Sequence, residues 1–271
     1  MNTEFPALAR QIRRSVIERS YDAHVGHIGS AMCIADILAV LFGGVAELER
    51  DDRDRMILSK GHAALGLYAA MAATGRMSEQ QLAEFCSDGT ALGAHPEHVV
   101  PGIDFSTGSL GHGLSLGAGA TLAARLQGAQ RRSFVLISDA ELNEGSVWEA
   151  AMFAGHHRLG RLVAIVDLNG QQALGYTRDV LELDHVGEQW RQFGWEVVQV
   201  DGHDHEQLEQ CLAPRREATD SPLLMIAKTT FGKGVTYMEN RIEWHYLPLS
   251  EEHYGQAMEE LDLHLTAEAR P

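Results

Sequence analysis

The sequence predicts an α/β protein built as a doubly wound, mostly parallel sheet with helices on both faces. Three observations carry this expectation. From Ser133 to Thr230 short apolar runs alternate with amphipathic segments, the pattern of βαβ units joined by right-handed crossovers. Two of those runs, Phe134 to Ile137 and Leu162 to Val166, are followed by hard oxygen ligands, Asp139 and Asn169. A hydrophobic fraction of 45% over 271 residues is enough to bury a full core. No linker, repeat or low-complexity segment intervenes, so residues 1–271 are expected to form a single domain, with 231–271 as a C-terminal loop and helix extension.

The elements follow in chain order. Residues 5–20 place Leu8, Ile12, Val16 and Ile17 at helical spacing with Arg and Glu opposite, a core-facing helix. In GHIGSAMCIADILAVLF, Gly26 and Gly29 flank His27, and Ser30 is expected to cap a helix carrying Ile34, Ile37, Leu38 and Leu41. Taken alone, His27 reads as a loop histidine satisfied by backbone. The charged stretch 47–55 is a solvated loop. MILS reads as a short buried strand and SKGHAALGLYAAMAATG as a glycine-opened helix, which sets His62 at a strand-to-helix junction. Free N–H groups there favour an anion, although a surface histidine fits equally well. Ser78 caps a short helix within 77–85, and the Gly-, Pro- and His-rich stretch 92–113 is a long loop of the kind that usually carries function. It feeds a helix, LSLGAGATLAARL, in which Gly117 and Gly119 permit close packing.

The segment between the two apolar runs is helical, so strand, helix and strand end in a crevice at the carboxyl edge of the sheet. Oxygen ligands in that crevice suit Mg²⁺, which takes its remaining ligands from phosphate and water. The expectation is a metal-diphosphate site. Beyond it, HVGEQWRQF is a helix, WEVVQV a strand, HEQLEQCLA a helix and PLLMIAKT a buried strand. The tail is a loop followed by a Ser-capped helix, with His245 between Trp244 and Tyr246, where an isolated histidine reads as packed.

Composition excludes several classes. A net charge of −16 gives no general attraction to nucleic acid or anionic membrane. Cys33, Cys86 and Cys211 are scattered and odd in number, as expected in a reducing compartment. Glu4, Arg10, Arg13 and Arg14 make the N-terminus amphipathic, so neither a signal peptide nor a membrane span is expected and the reading is cytoplasmic. GHGLSL and GAGATL lack the last glycine of the dinucleotide fingerprint and follow no strand, which disfavours a nicotinamide dehydrogenase. FGKG lacks the spacing of a phosphate loop.

GHIGSAM, SKGHAALGLYA, GAHPE, STGSLGHG, SDAELNEGSVWEAA, VDLNG, DGHD and KGVTYMENRIEWH occur in an order that resembles the thiamine-diphosphate-binding half of transketolase. More closely, the chain resembles the N-terminal subunit of a split, two-chain transketolase, from about residue 10 to 260. The resemblance implies a thiamine-diphosphate-binding, PP-type domain and transfer of a two-carbon ketol unit from a ketose, phosphorylated in the usual case, to an aldose. It implies that Asp139, the Asn169 amide oxygen and the Gln171 carbonyl ligate Mg²⁺ or Ca²⁺. Gly108, Ser109 and Leu110 would pass beside the aminopyrimidine and diphosphate, with Ala140 and Glu141 also in the cofactor-binding segment. His62 and His245 would contact the diphosphate side, His27 and His95 would line the substrate channel, and Glu144 would sit between the two half-sites. Histidine suits hydroxyl-proton transfer because its unperturbed pKa is ~6.5.

Ser138-Asp139-Ala140 replaces the family's usual Gly-Asp-Gly, so Ala140 either puts a methyl group into a tight place or demands a φ that alanine tolerates poorly. Ser109 and Ile28 stand where proline is common, and Tyr246 where glycine often follows the histidine, which points to an unusual acceptor. In the family the chain resembles, the glutamate that activates the cofactor and the groups that grip a sugar phosphate lie in a second domain. The resemblance therefore implies a partner, a C-terminal subunit carrying the pyrimidine-binding domain, in a heterotetramer. The alternatives are another thiamine-diphosphate enzyme half, such as a 2-oxoacid dehydrogenase E1 component or carboligase, and a degenerate non-catalytic subunit.

Overall fold

The computed structural model describes residues 4–49, 51–213 and 220–268. The ends of the expected domain, 1–3 and 269–271, and Arg50 of the expected charged loop lie outside them. Helix α1 (Phe5–Ala23) is followed by α2 (Ile28–Met32), α3 (Ala35–Val40) and a π turn, Leu41–Val45. Next come β1 (Arg55–Leu58), a 3₁₀ turn (Gly61–Ala63), α4 (Ala64–Ala73) and α5 (Glu79–Leu82), then the long loop to α6 (Gly113–Leu126). The centre is β2 (Ser133–Ser138), a 3₁₀ turn (Ala140–Asn143), α7 (Gly145–His156) and β3 (Leu162–Leu168). A hairpin of β4 (Gln171–Gln172) and β5 (Gly175–Tyr176) leads into α8 (Thr177–Val180), α9 (Val186–Gln192), β6 (Glu196–Asp201), α10 (His205–Leu212) and β7 (Leu223–Lys228). A 3₁₀ turn (Ile242–His245) and α11 (Glu251–Glu268) complete it.

Strands β1-β2-β3-β7-β6 form one wholly parallel sheet. The period of two along each strand divides the core. Phe134, Leu136, Val163, Ile165, Leu223 and Met225 join α1 to α4 and α10 on one face. Val135, Ile137, Ala164, Val166, Leu224 and Ile226 join α6, α7 and α9 on the other. Every residue of β2 is buried, as expected for a central parallel strand covered on both sides. The doubly wound expectation is met.

Local details differ from the expectation. Ser30 lies inside α2 and caps nothing; His27 is the N-cap, in the left-handed region with φ 62°. The expected continuous helix is broken at Ile34, whose ψ of 1° is not helical, and the π turn contains Gly44 at φ 141°. Ile28–Val45 has the length and hydropathy of a membrane span, but 89% of it is buried in the protein's own core. The serine caps are present: the Ser78 hydroxyl accepts from the Gln81 N–H at 3.1 Å, and that of Ser250 from the His253 N–H at 3.2 Å.

Of the two glycines expected to permit close packing, Gly117 does so and Gly119 does not. A Cβ at Gly117 would lie 2.4 Å from Val135 Cγ2, in the rigid middle of β2, whereas one at Gly119 meets nothing within 4 Å. Gly117→Ala should therefore destabilise by ~1–3 kcal/mol through overpacking. Gly119→Ala should stabilise by up to ~1 kcal/mol through helix propensity. Urea midpoints of the two variants check the opposite signs.

Candidate active site at the carboxyl edge of the sheet

Parallel strands deliver their C-terminal ends to one edge, and adjacent β1, β2 and β3 bring Lys60, Asp139 and Asn169 there together. A pocket of about 140 Å³ at this edge is lined by residues that include His27, Lys60, His62, Ser109, Leu110, Ala140, Asn169, Gln171, His245 and Tyr246. Segments far apart in the chain thus meet in one cavity.

The imidazoles of His27, His62 and His245 form a triangle, with ring centroids 5.3–5.6 Å apart. His27 is positioned by its N–H, which donates to the His245 carbonyl at 3.2 Å, and His245 stacks on Phe231 at 5.8 Å. His62 Nδ1 lies 3.3 Å from the Ser109 carbonyl, which can only accept. Nδ1 therefore carries the proton and Nε2 presents a lone pair. Burial is the main cause that lowers the proton affinity of all three, reinforced by Lys60 and the neighbouring rings at His62, by His95 at His27, and by His27 and Lys60 at His245, which is brought to about 4. The trio is neutral at neutral pH. His95 lies outside the lining and joins the site through Ser109, whose hydroxyl is 2.9 Å from its Nε2.

The loop bearing Gly108, Ser109 and Leu110 is drawn against the β1 end: the Gly108 carbonyl accepts from the Gly61 N–H at 3.1 Å. Gly61 is obligatory, since a Cβ there would fall 2.2 Å from that carbonyl oxygen. Gly108 itself braces the wall that Ser109 and Leu110 provide. Glu141, expected beside the cofactor, is instead wholly buried beneath that wall. One carboxylate oxygen accepts from the Ser59 hydroxyl and from the Gly111 N–H at 2.9 Å, the other from the Ser138 N–H at 2.7 Å. Its oxygens are used by protein donors, so it positions three segments. Glu144 holds the N-cap position of α7 without a side-chain capping bond and lies outside the pocket, beside Gly111.

Asp139 is fully buried, with Oδ1 accepting from the Ala140 N–H and Oδ2 from Gly170 N–H and Thr177 Oγ1, each at 2.9 Å. Burial, and then the charge of Asp167, raise its pKa to about 7. The Asn169 amide is oriented at both ends: Oδ1 accepts from the Gln171 N–H and Nδ2 donates to Asp167, both at 2.9 Å. Ala140 sits in the 3₁₀ turn with negative φ, so the expected backbone strain is absent and only its methyl group enters the pocket.

Two charged residues of the site carry no assignment from the sequence. Lys60 and Asp167 form an ion pair that is 1% and 0% exposed. Burial disfavours the lysine's charge but Asp167 outweighs it, so Lys60 stays protonated. Burial likewise raises the Asp167 pKa, but Lys60 holds it below the usual carboxylate range. Cys33 Sγ donates to Asp167 at 3.0 Å. A lysine directly after one apolar strand and an aspartate within another are the sequence signal, because buried charges need partners.

The site is incompletely satisfied by protein. His27 Nδ1, His245 Nδ1, Gln171 Oε1, Gln172 Nε2 and the neighbouring Asn143 Oδ1 are buried without a protein hydrogen-bond partner. Buried polar atoms are nearly always paired, so this set complements a polar ligand. Among the described residues no group of three His, Cys, Asp or Glu could hold a metal by itself. Asp139 is wholly buried behind the lining, and both its oxygens, like Asn169 Oδ1, accept protein hydrogen bonds, whereas Gln171 Oε1 has no protein partner.

Fold and pocket together define a doubly wound α/β domain with a histidine-lined cavity at its carboxyl edge. The chain belongs to the transketolase family, matching "Transketolase, thiamine diphosphate binding domain" over residues 6–268. It is 36% identical to one of the subunits of the apulose-4-phosphate transketolase of Phocaeicola vulgatus, covering 92% of this chain and 90% of that protein. It is 35% identical to the SqwG subunit of the 6-deoxy-6-sulfo-D-fructose transketolase of Clostridium sp., over 94% of each chain. Human transketolase is 36% identical over 93% of this chain, which spans 41% of it. The transketolase structure from Campylobacter jejuni superposes with a TM-score of 0.87 at 29% identity, over 97% of this chain and 43% of that one. The chain thus carries the thiamine-diphosphate-binding domain of the transketolase family.

Proposed function

We propose that this chain is the diphosphate-binding subunit of a two-chain enzyme that moves a two-carbon ketol unit from a phosphorylated ketose to an aldose. The observation that carries the reading is the meeting of His27, His62 and His245 with Asn169 and Gln171 in one cavity rimmed by unsatisfied polar atoms. Asp139, the Asn169 amide oxygen and the Gln171 carbonyl would hold Mg²⁺ or Ca²⁺ against the diphosphate. Gly108, Ser109 and Leu110 would lie beside the cofactor, with Lys60 adding positive charge beneath it. Bound thiamine diphosphate supplies the carbanion chemistry that cleaves and forms the C–C bond. The neutral imidazoles accept and return hydroxyl protons of the sugar, and the free Nε2 of His62 points to one such acceptor. His27 and His245 offer unpaired Nδ1 atoms for the same work, while His95 orients Ser109. Glu144, outside the cavity, faces the second half-site.

The partner is a C-terminal subunit carrying the pyrimidine-binding domain, in a cytoplasmic heterotetramer. Subunit designations among the relatives support a two-chain enzyme. The chain should show no ketol transfer by itself and full transfer when co-expressed with the partner encoded beside it, assayed with xylulose 5-phosphate and, as the competing donor, pyruvate. Full activity from the single chain overturns the two-chain reading, and a preference for pyruvate overturns the ketose reading.

A further inference from the structure

Tyr246 lies at the mouth of the pocket in a manner its fold role does not require. The residue is 56% exposed, so core packing does not hold it. It is nevertheless fixed at both ends. Its backbone is pressed against Gly26, where a Cβ would fall 2.4 Å from the Tyr246 carbonyl oxygen, and its N–H donates to the Glu243 carbonyl at 3.1 Å. Its hydroxyl crosses to the β4–β5 hairpin and donates to the Ala173 carbonyl at 2.7 Å. The ring lies 6.4 Å from His27 and 5.1 Å from His245, and both Tyr246 and Ala173 line the cavity. The phenol therefore ties the C-terminal turn to the hairpin across the rim, beside the imidazoles that would handle hydroxyl protons.

We propose that Tyr246 is a specificity-determining strap that admits short aldehyde acceptors and excludes longer aldose chains, because its ring occupies the path along which the acceptor's distal carbons extend. The proposal rests on the ketol-transfer reading. Tyr246 and Ala173 share this cavity with Asn169 and Gln171, the residues that would hold the cofactor, so an acceptor's distal carbons must pass the rim that the strap spans. A hydroxyl already committed to a backbone carbonyl holds the ring still, and a fixed steric wall discriminates by chain length where a mobile one would swing aside.

The test compares the complete two-chain enzyme with its Tyr246→Ala and Tyr246→Phe forms, with xylulose 5-phosphate as fixed donor and glycolaldehyde or ribose 5-phosphate as acceptor. The ratio of kcat/KM for the five-carbon to the two-carbon acceptor is the readout, since a loss of folded enzyme lowers both values equally. Tyr246→Ala should raise this ratio by about tenfold, the usual scale for relieving one steric exclusion in a pocket. Tyr246→Phe, which keeps the ring but loses the tie to Ala173, should move it the same way by less. An unchanged or lowered ratio in Tyr246→Ala overturns the strap while leaving ketol transfer standing. Absence of transfer from any ketose by the unsubstituted complex overturns the ketol-transfer reading and the strap with it.

Discussion

Replacing Asp139 by Ala should abolish metal-dependent binding of thiamine diphosphate. Its carboxylate is fully buried and organises the crevice from both sides, receiving Ala140 on one oxygen and Gly170 and Thr177 on the other. Loss of an outer supporting partner typically weakens a metal site ~10–100-fold, and loss of the ligand itself should exceed that. Calorimetry with thiamine diphosphate and Mg²⁺, partner present, reads the effect directly. Binding that survives unchanged in the variant would sink the assignment of Asp139. Circular dichroism distinguishes a lost ligand from a lost fold, because β2 and its neighbours are held by apolar packing on both faces.

The second large effect belongs to Lys60. Lys60→Met removes the cation from a pair with almost no solvent on either member and leaves Asp167 charged among Cys33, Asn169 and Thr229. Breaking one side of such a pair costs ~3–5 kcal/mol, since the remaining charge keeps its desolvation penalty. The Lys60→Met, Asp167→Leu double variant should recover much of that loss in urea unfolding, because no orphan charge remains. Cofactor affinity should stay impaired in both, as Lys60 lines the pocket and Asp167 orients the Asn169 amide. If the single variant unfolds at the same urea concentration as the unsubstituted chain, the ion pair does not have the structural weight assigned to it.

Much of this could be read from the residues. The alternation from Ser133 onward determined a parallel α/β sheet, since strands buried on both faces need continuous apolar runs, and Phe134 to Ile137 supplies one. Asp139 and Asn169, each just past a strand, pointed to the sheet edge at which the candidate site lies. The break at Ile34 and the left-handed His27 were not legible, because an apolar helical period persists through both and only packing against neighbouring elements decides where the backbone departs from it.

Glu141 shows the other kind of limit. Its place in SDAELNEG puts it near the cofactor in sequence, yet which way its carboxylate turns depends on Ser59 and Gly111, brought to it from β1 and the long loop. Lys60 and Asp167 are separated by 107 residues and become a pair only because β1 and β3 flank β2 in the sheet. By itself the sequence determined the class of fold, the edge that carries the site and the residue types available there. The tertiary structure alone decided which histidines share a cavity, that Glu141 braces its wall, and that Tyr246 reaches Ala173 across the rim. Those are contacts between segments far apart in the chain, and local periodicity holds no information about their mutual distance or orientation.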